Sequence, residues 1–130
     1  MDVILYLAAD LLWATRIKST ADALGLPCRP VRTIEMLEAR LADGGVSALI
    51  VDLESAEAGL ALIERLHRPS ASAEERAIHV LAFGPHVQKE LFQLARDAGA
   101  DEVLVRGVFD RNLPEILVNL EGRGGPGRAG

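Results

Sequence analysis

The chain has 130 residues, 49% of them apolar and 25% charged, with 14 basic against 19 acidic residues for a net charge of −5. That length and apolar content suit one globular domain with its own core and exclude a chain that is disordered throughout. The negative balance argues against duplex nucleic acid as the main partner. The single cysteine, Cys28, excludes an internal disulfide and reads as a buried, inert thiol.

The N-terminus, Met-Asp-Val-Ile-Leu-Tyr-Leu, lacks the positive start of a secretory signal, and its apolar run is far too short for a membrane span. A cytoplasmic protein without membrane contact is expected. Val3 to Leu7 is the first continuous apolar run and predicts a strand. Asp10 is a good N-cap for a helix reaching Leu24, with Gly25 as its stop. Leu11, Ala14, Ile17, Ala21 and Leu24 share one side of that helix. Trp13 lies on the rim of the buried side, and Leu12 faces away beside Arg16.

A weaker strand follows around Cys28 to Arg32, where Pro30 suggests a sheet edge. The second helix runs from Thr33 to Asp43 on an Ile34, Leu37 and Leu41 stripe, and Gly44-Gly45 ends it. Ala48 to Val51 is the third strand. A helix over Ala56 to His67 then points Ile63 and Leu66 inward. Arg68 to Arg76 reads as a polar loop before the fourth strand, Ile78 to Phe83. The fourth helix, from about His86 to Ala98, carries Val87, Leu91, Leu94, Ala95 and Ala98, with Gly99 as C-cap. Val103 to Val105 is the fifth strand. The last helix starts near Pro114 and carries Ile116, Leu117 and Leu120. Leu5, Ile50, Leu81 and Leu104 are expected in central strands. Residues 122–130, GRGGPGRAG, have nothing large enough to pack and read as a flexible tail after a 1–121 domain.

Strands alternating with helices, each strand apolar on both faces, imply right-handed crossovers and a doubly wound parallel sheet. Four segments resemble the receiver domain of response regulators. VSALIVDLESAEAGL resembles its third strand, with Asp52 where the phosphoacceptor stands. HVLAFGP resembles the fourth strand and its switch position. AGADEVLVRGVF resembles the approach to the fifth strand. VILYLAADLLWATRIKSTADALG resembles the first strand and helix. The resemblance covers residues 1 to 121 and implies a flavodoxin-like (βα)5 fold with strand order 2-1-3-4-5.

The departures from that family are chemical. The paired acids after the first strand become Ala8-Ala9-Asp10, the switch hydroxyl becomes Gly84, and the lysine after the fifth strand becomes Arg106. Asp10 and Asp52 make a thin Mg²⁺ site, so no cofactor is expected beyond weakly held Mg²⁺. Arginine is a planar fork where lysine is a point charge, so that exchange is not neutral. Asp52 is therefore expected to cap a loop or pair with Arg106. The pocket around it would contain Asp10, Glu54, Gly84, His86 and Arg106. His86 should start the fourth helix on the rim of the same crevice.

Walker and nucleophile-elbow motifs are absent. A degenerate pseudo-receiver follows, not an enzyme, that binds signalling proteins independently of phosphorylation. Phe92 and Val118, both off their helices' stripes, are the interface candidates, for a homodimer or another protein. Two alternatives stay open: a receiver phosphorylated at Asp52, and a sensor that takes a small anion or nucleotide at the C-terminal crevice of the sheet.

Overall fold

A computed structural model describes residues 2–121. The 122–130 tail lies outside the described residues. The strands are β1 (Val3–Leu7), β2 (Cys28–Pro30), β3 (Val46–Asp52), β4 (His79–Gly84) and β5 (Glu102–Val105). They form one parallel sheet in the order β2-β1-β3-β4-β5. The helices are α1 (Leu11–Ala23), α2 (Ile34–Asp43), α3 (Ala56–His67), α4 (Ala73–Arg76), α5 (Lys89–Ala98), α6 (Arg106–Arg111) and α7 (Leu113–Glu121).

Alternation along the strands divides the core in two. Leu5, Leu7, Leu49, Val51, Val80 and Ala82 face Leu37 of α2, Leu62, Ile63 and Leu66 of α3, and Phe92 and Ala95 of α5. Ile4, Tyr6, Ala48, Ile50, Leu81 and Phe83 face Ile17 and Ala21 of α1, Phe109 of α6, and Leu113, Leu117 and Leu120 of α7. Burial on both faces is why the strands read as continuous apolar runs. Gly59 lets α3 lie close on the sheet: a Cβ there would stand 2.5 Å from Val51 Cγ1.

Five expectations need correction. The expected polar loop contains α4, which Ser72 and Glu75 close with a reciprocal capping box. The last helix is preceded by α6, which brings Phe109 into the core. Leu104 lies on an edge strand and is only half-buried, so it is not central.

The fourth correction concerns α5. Val87 and Leu94 are exposed, at 70% and 53%, whereas Phe92 is buried at 8%. The helix starts at Lys89, with His86 and Val87 in the preceding turn, so its inner stripe is Leu91, Phe92, Ala95 and Ala98. Phe92 is a core residue and not an exposed anchor. Leu11 and Leu24 are likewise exposed at the two ends of the α1 stripe, while Val118 is exposed as expected.

Candidate functional site

The crevice at the C-terminal ends of the strands brings together four predicted positions: Asp52, Glu54, Gly84 and Arg106. Asp52 ends β3 and is fully buried. Its Oδ2 accepts the Ala9 N–H at 3.0 Å, and its Oδ1 accepts the Glu54 N–H at 3.0 Å. It thereby ties the end of β1 to the 3-10 turn Leu53–Ser55. Burial pushes its carboxyl above the usual aspartate value, and the two N–H bonds and the Arg106 charge offset only part of that.

Asp52 caps a turn, as expected, but Arg106 takes a different partner. Its guanidinium Nη2 donates to Glu54 Oε1. The guanidinium carbon lies 5.9 Å from the centre of the Trp13 ring. The Arg106 Nε is buried and has no hydrogen-bond partner among the described residues. Trp13 rests at 5.1 Å on Phe83 and at 5.8 Å on Phe109, and those two rings stack 4.0 Å apart. The arginine is thus held by a carboxylate and an indole propped on a packed aromatic pair. This support depends on α6, which the sequence did not disclose.

Gly84 ends β4 beneath the crevice. A Cβ placed there would stand 3.1 Å from Phe92 Cε1 and 3.2 Å from Leu53 Cβ. Those distances are tighter than ordinary packing, so Leu53 and Phe92 would have to give by a few tenths of an ångström to admit a side chain at 84. Glycine at 84 and the burial of Phe92 are one fact. The missed signal was Gly84 itself: a glycine that ends a strand marks close approach by something bulky.

The remaining predicted residues are more loosely associated. Asp10 is exposed and caps α1, its Oδ1 accepting the Trp13 N–H at 2.9 Å. His86 is exposed in the turn before α5 and lines a wide hollow with Trp13, Pro85, Arg106 and Asp110. The acid set does not fit Mg²⁺, which favours six oxygen ligands in near-octahedral array. Both Asp52 oxygens already accept N–H groups, Asp10 is turned into its own helix, and no three acidic, His or Cys side chains cluster among the described residues. Elsewhere, Cys28 is buried, which pushes its thiol up to about 12. His79 pairs with Glu102 at 2.7 Å across β4 and β5.

The sequence matches no family model and no curated protein. The structure does have close neighbours. The receiver domain of a response regulator from Bermanella marisrubri superposes with a TM-score of 0.72 at 20% identity, over 91% of this chain and 96% of that one. A CheY-like receiver domain protein from Methanospirillum hungatei gives 0.72 at 18% identity, over 95% and 96%. An orphan response regulator of H. pylori gives 0.67 at 16% identity, over 94% and 95%. Five parallel strands in the order 2-1-3-4-5, helices on both faces and a buried aspartate at the end of β3 give this chain the fold of the response-regulator receiver domain.

Proposed function

We propose that this domain is a regulatory module of the receiver type that works by binding protein partners, independently of phosphorylation and without catalysis. The observation that carries the reading is the crowded glycine at position 84. A receiver that answers phosphorylation needs a side chain there that can reach the phosphoryl group, and here position 84 is a glycine crowded by Leu53 and Phe92. Arg106, the cation nearest the role of the receiver lysine, is already engaged by Glu54 and Trp13. The orphan regulator among its structural neighbours is a protein of the same fold. The partners are proteins of a signalling pathway, a second copy of the chain included. Val118 remains the candidate contact residue, on the α7 face, and Phe92 drops out because it is buried. The setting proposed is the cytoplasm. Among the described residues no helix is long and apolar enough to cross a membrane.

The rival reading, phosphorylation of Asp52, is favoured by one observation: this carboxylate is buried at the end of β3, where a phosphoacceptor stands. Beryllofluoride with Mg²⁺ separates the two. Trp13 is the only tryptophan and touches Arg106, so its fluorescence reports on the crevice. No change in the spectrum or in amide NMR shifts is expected. A saturable change that disappears in Asp52→Asn overturns the proposal in favour of the rival.

A further inference from the structure

Arg106 stands near two carboxylates and bonds only one of them. We propose that its guanidinium is a two-position switch, strapped to Glu54 at the rim of the crevice and passing to Asp52 when the Glu54 carboxylate is captured. The switch regulates the crevice of the proposed module. It rests on that reading, because a phosphoryl group on Asp52 would itself claim Arg106.

Both ends of the exchange have something unmet in the present arrangement. The Arg106 Nε is buried and has no hydrogen-bond partner among the described residues. A buried donor left unmatched is destabilising and rare in folded proteins, so the arginine is incompletely satisfied where it stands. Asp52 has the complementary deficit. It is a fully buried carboxylate that receives two backbone N–H groups and no cation. A carboxylate offers about four acceptor positions, so each Asp52 oxygen can take a second donor. Burial raises the Asp52 carboxyl above its usual value, and the Arg106 charge, after the two N–H bonds, opposes that rise. The guanidinium is therefore already within electrostatic reach of the group it would join.

The strap is open to solvent. The Arg106 and Glu54 side chains are 34% and 46% exposed, and ion pairs that exposed hold loosely. Packing does not enclose the guanidinium either. Arg106 borders a hollow of about 650 Å³ with Trp13, His86 and Gly107, and a Cβ on Gly107 would meet nothing within 4 Å.

The neighbouring acids are already taken. Asp110, on the wall of the same hollow, bonds Arg16 at 2.5 Å, and Asp10 caps α1. Glu54 and Asp52 are left as competitors for one guanidinium. They are also joined, since the Glu54 N–H donates to Asp52 Oδ1. A basic side chain of a protein partner, reaching Glu54 from solvent, frees Arg106. The guanidinium then leaves the Trp13 ring for the buried carboxylate and reshapes the mouth of the crevice.

Glu54→Gln in the full chain imitates that capture. Trp13 emission should shift as the guanidinium leaves the ring. The Ala9 amide, which donates to Asp52 Oδ2 from the end of β1, should shift in the NMR spectrum. In an Asp52→Asn background the same substitution should leave the Ala9 amide in place. If Asp52→Asn does not fold, Arg106→Gln serves as the background, and the Ala9 shift should vanish there too. Beryllofluoride plays no part, so failure of the switch is read separately from failure of the proposed function. Two results overturn the switch: Trp13 emission or an Ala9 amide unmoved by Glu54→Gln, or an Ala9 shift that survives in the background used.

Discussion

Two buried charges, one in α3 and one at the end of β3 ahead of it, are treated in opposite ways. Arg65, in α3, has a side chain only 7% exposed, yet each of its three nitrogens donates to a carboxylate. Its Nε and Nη2 bond Glu38 of α2 at 2.7 and 2.8 Å, and its Nη1 and Nη2 bond Glu75 of α4 at 3.0 and 3.2 Å. Asp52, at the mouth of the crevice, is fully buried and receives two backbone N–H groups but no cation of its own, since the adjacent Arg106 goes to Glu54. A charge that only ties helices together is matched by opposite charges. The charge at the C-terminal end of β3 is held by backbone N–H groups alone. The difference marks Arg65 as structural and places Asp52 among groups whose ionisation the fold does not fully stabilise.

The largest effect expected of any single substitution lies beside Asp52. Phe92→Ala should cost about 3–5 kcal/mol, the range for a buried aromatic, because its ring fills the space over Gly84. Urea denaturation measures this directly. A loss below about 1 kcal/mol would mean that the ring is not core and would reopen Phe92 as an interface residue. Next comes the other side of the comparison. Arg65→Ala should cost about 2–3 kcal/mol, at the low end for a broken buried pair because both carboxylates it strands can still reach water. An effect smaller than that of a surface substitution would place Arg65 with ordinary solvated pairs and dissolve the contrast with Asp52.

How much of this was legible beforehand depended on the reach of each signal. Apolar runs and helix caps are local, so the five strands and the Asp10 cap could be read from neighbouring residues, while the strand order followed from the resembled family. The identities at 52, 84 and 106 were legible as departures from a resembled family. The occupant of the Gly84 space was not, because Leu53 and Phe92 come from two other segments and meet only in three dimensions. The same holds for Arg65, which looks like one more helical arginine until α2 and α4 deliver Glu38 and Glu75. Phe92 was misplaced because Val87 and Leu94 were counted into the stripe. Val87 precedes the helix and Leu94 is exposed, so the inner side of Leu91, Ala95 and Ala98 is centred towards Phe92.

Gly84→Ser should place a hydroxyl at the end of β4 at a cost of about 1–3 kcal/mol, the usual range for overpacking. Combined with Phe92→Leu, which vacates part of the contact, the penalty should be less than the sum of the two single costs. Strict additivity, measured in a double-mutant cycle by urea melts, would show that Phe92 does not occupy the switch space, and the main support for phosphorylation independence would go with it.

The smallest effect is the pH response, in which the two buried charges should pull in opposite directions. Hydrogen bonds from Arg65 hold the Glu38 and Glu75 carboxyls below their ordinary value of 4.5, with a backbone bond from Ser72 adding to the effect at Glu75. Groups lowered in this way contribute stability that is complete above the unfolded value and is lost as pH falls through their folded values. Asp52 is displaced the other way, by burial, above its ordinary 3.8. Its contribution is complete below that value and is lost as pH rises through the higher folded value. Acidifying from neutral pH should therefore first relieve Asp52 and only afterwards weaken the Arg65 cluster. Urea melts across this range on wild type and Asp52→Asn isolate the first part. The wild type should gain on the variant as pH falls towards 4.5, since only the wild type can take up a proton at position 52. Arg65→Ala isolates the second part by removing the steeper acid loss below that point. If wild type and Asp52→Asn keep a constant difference over the whole range, the Asp52 carboxyl is not raised. The backbone N–H groups would then be as good a match for a buried charge as the paired glutamates are for Arg65.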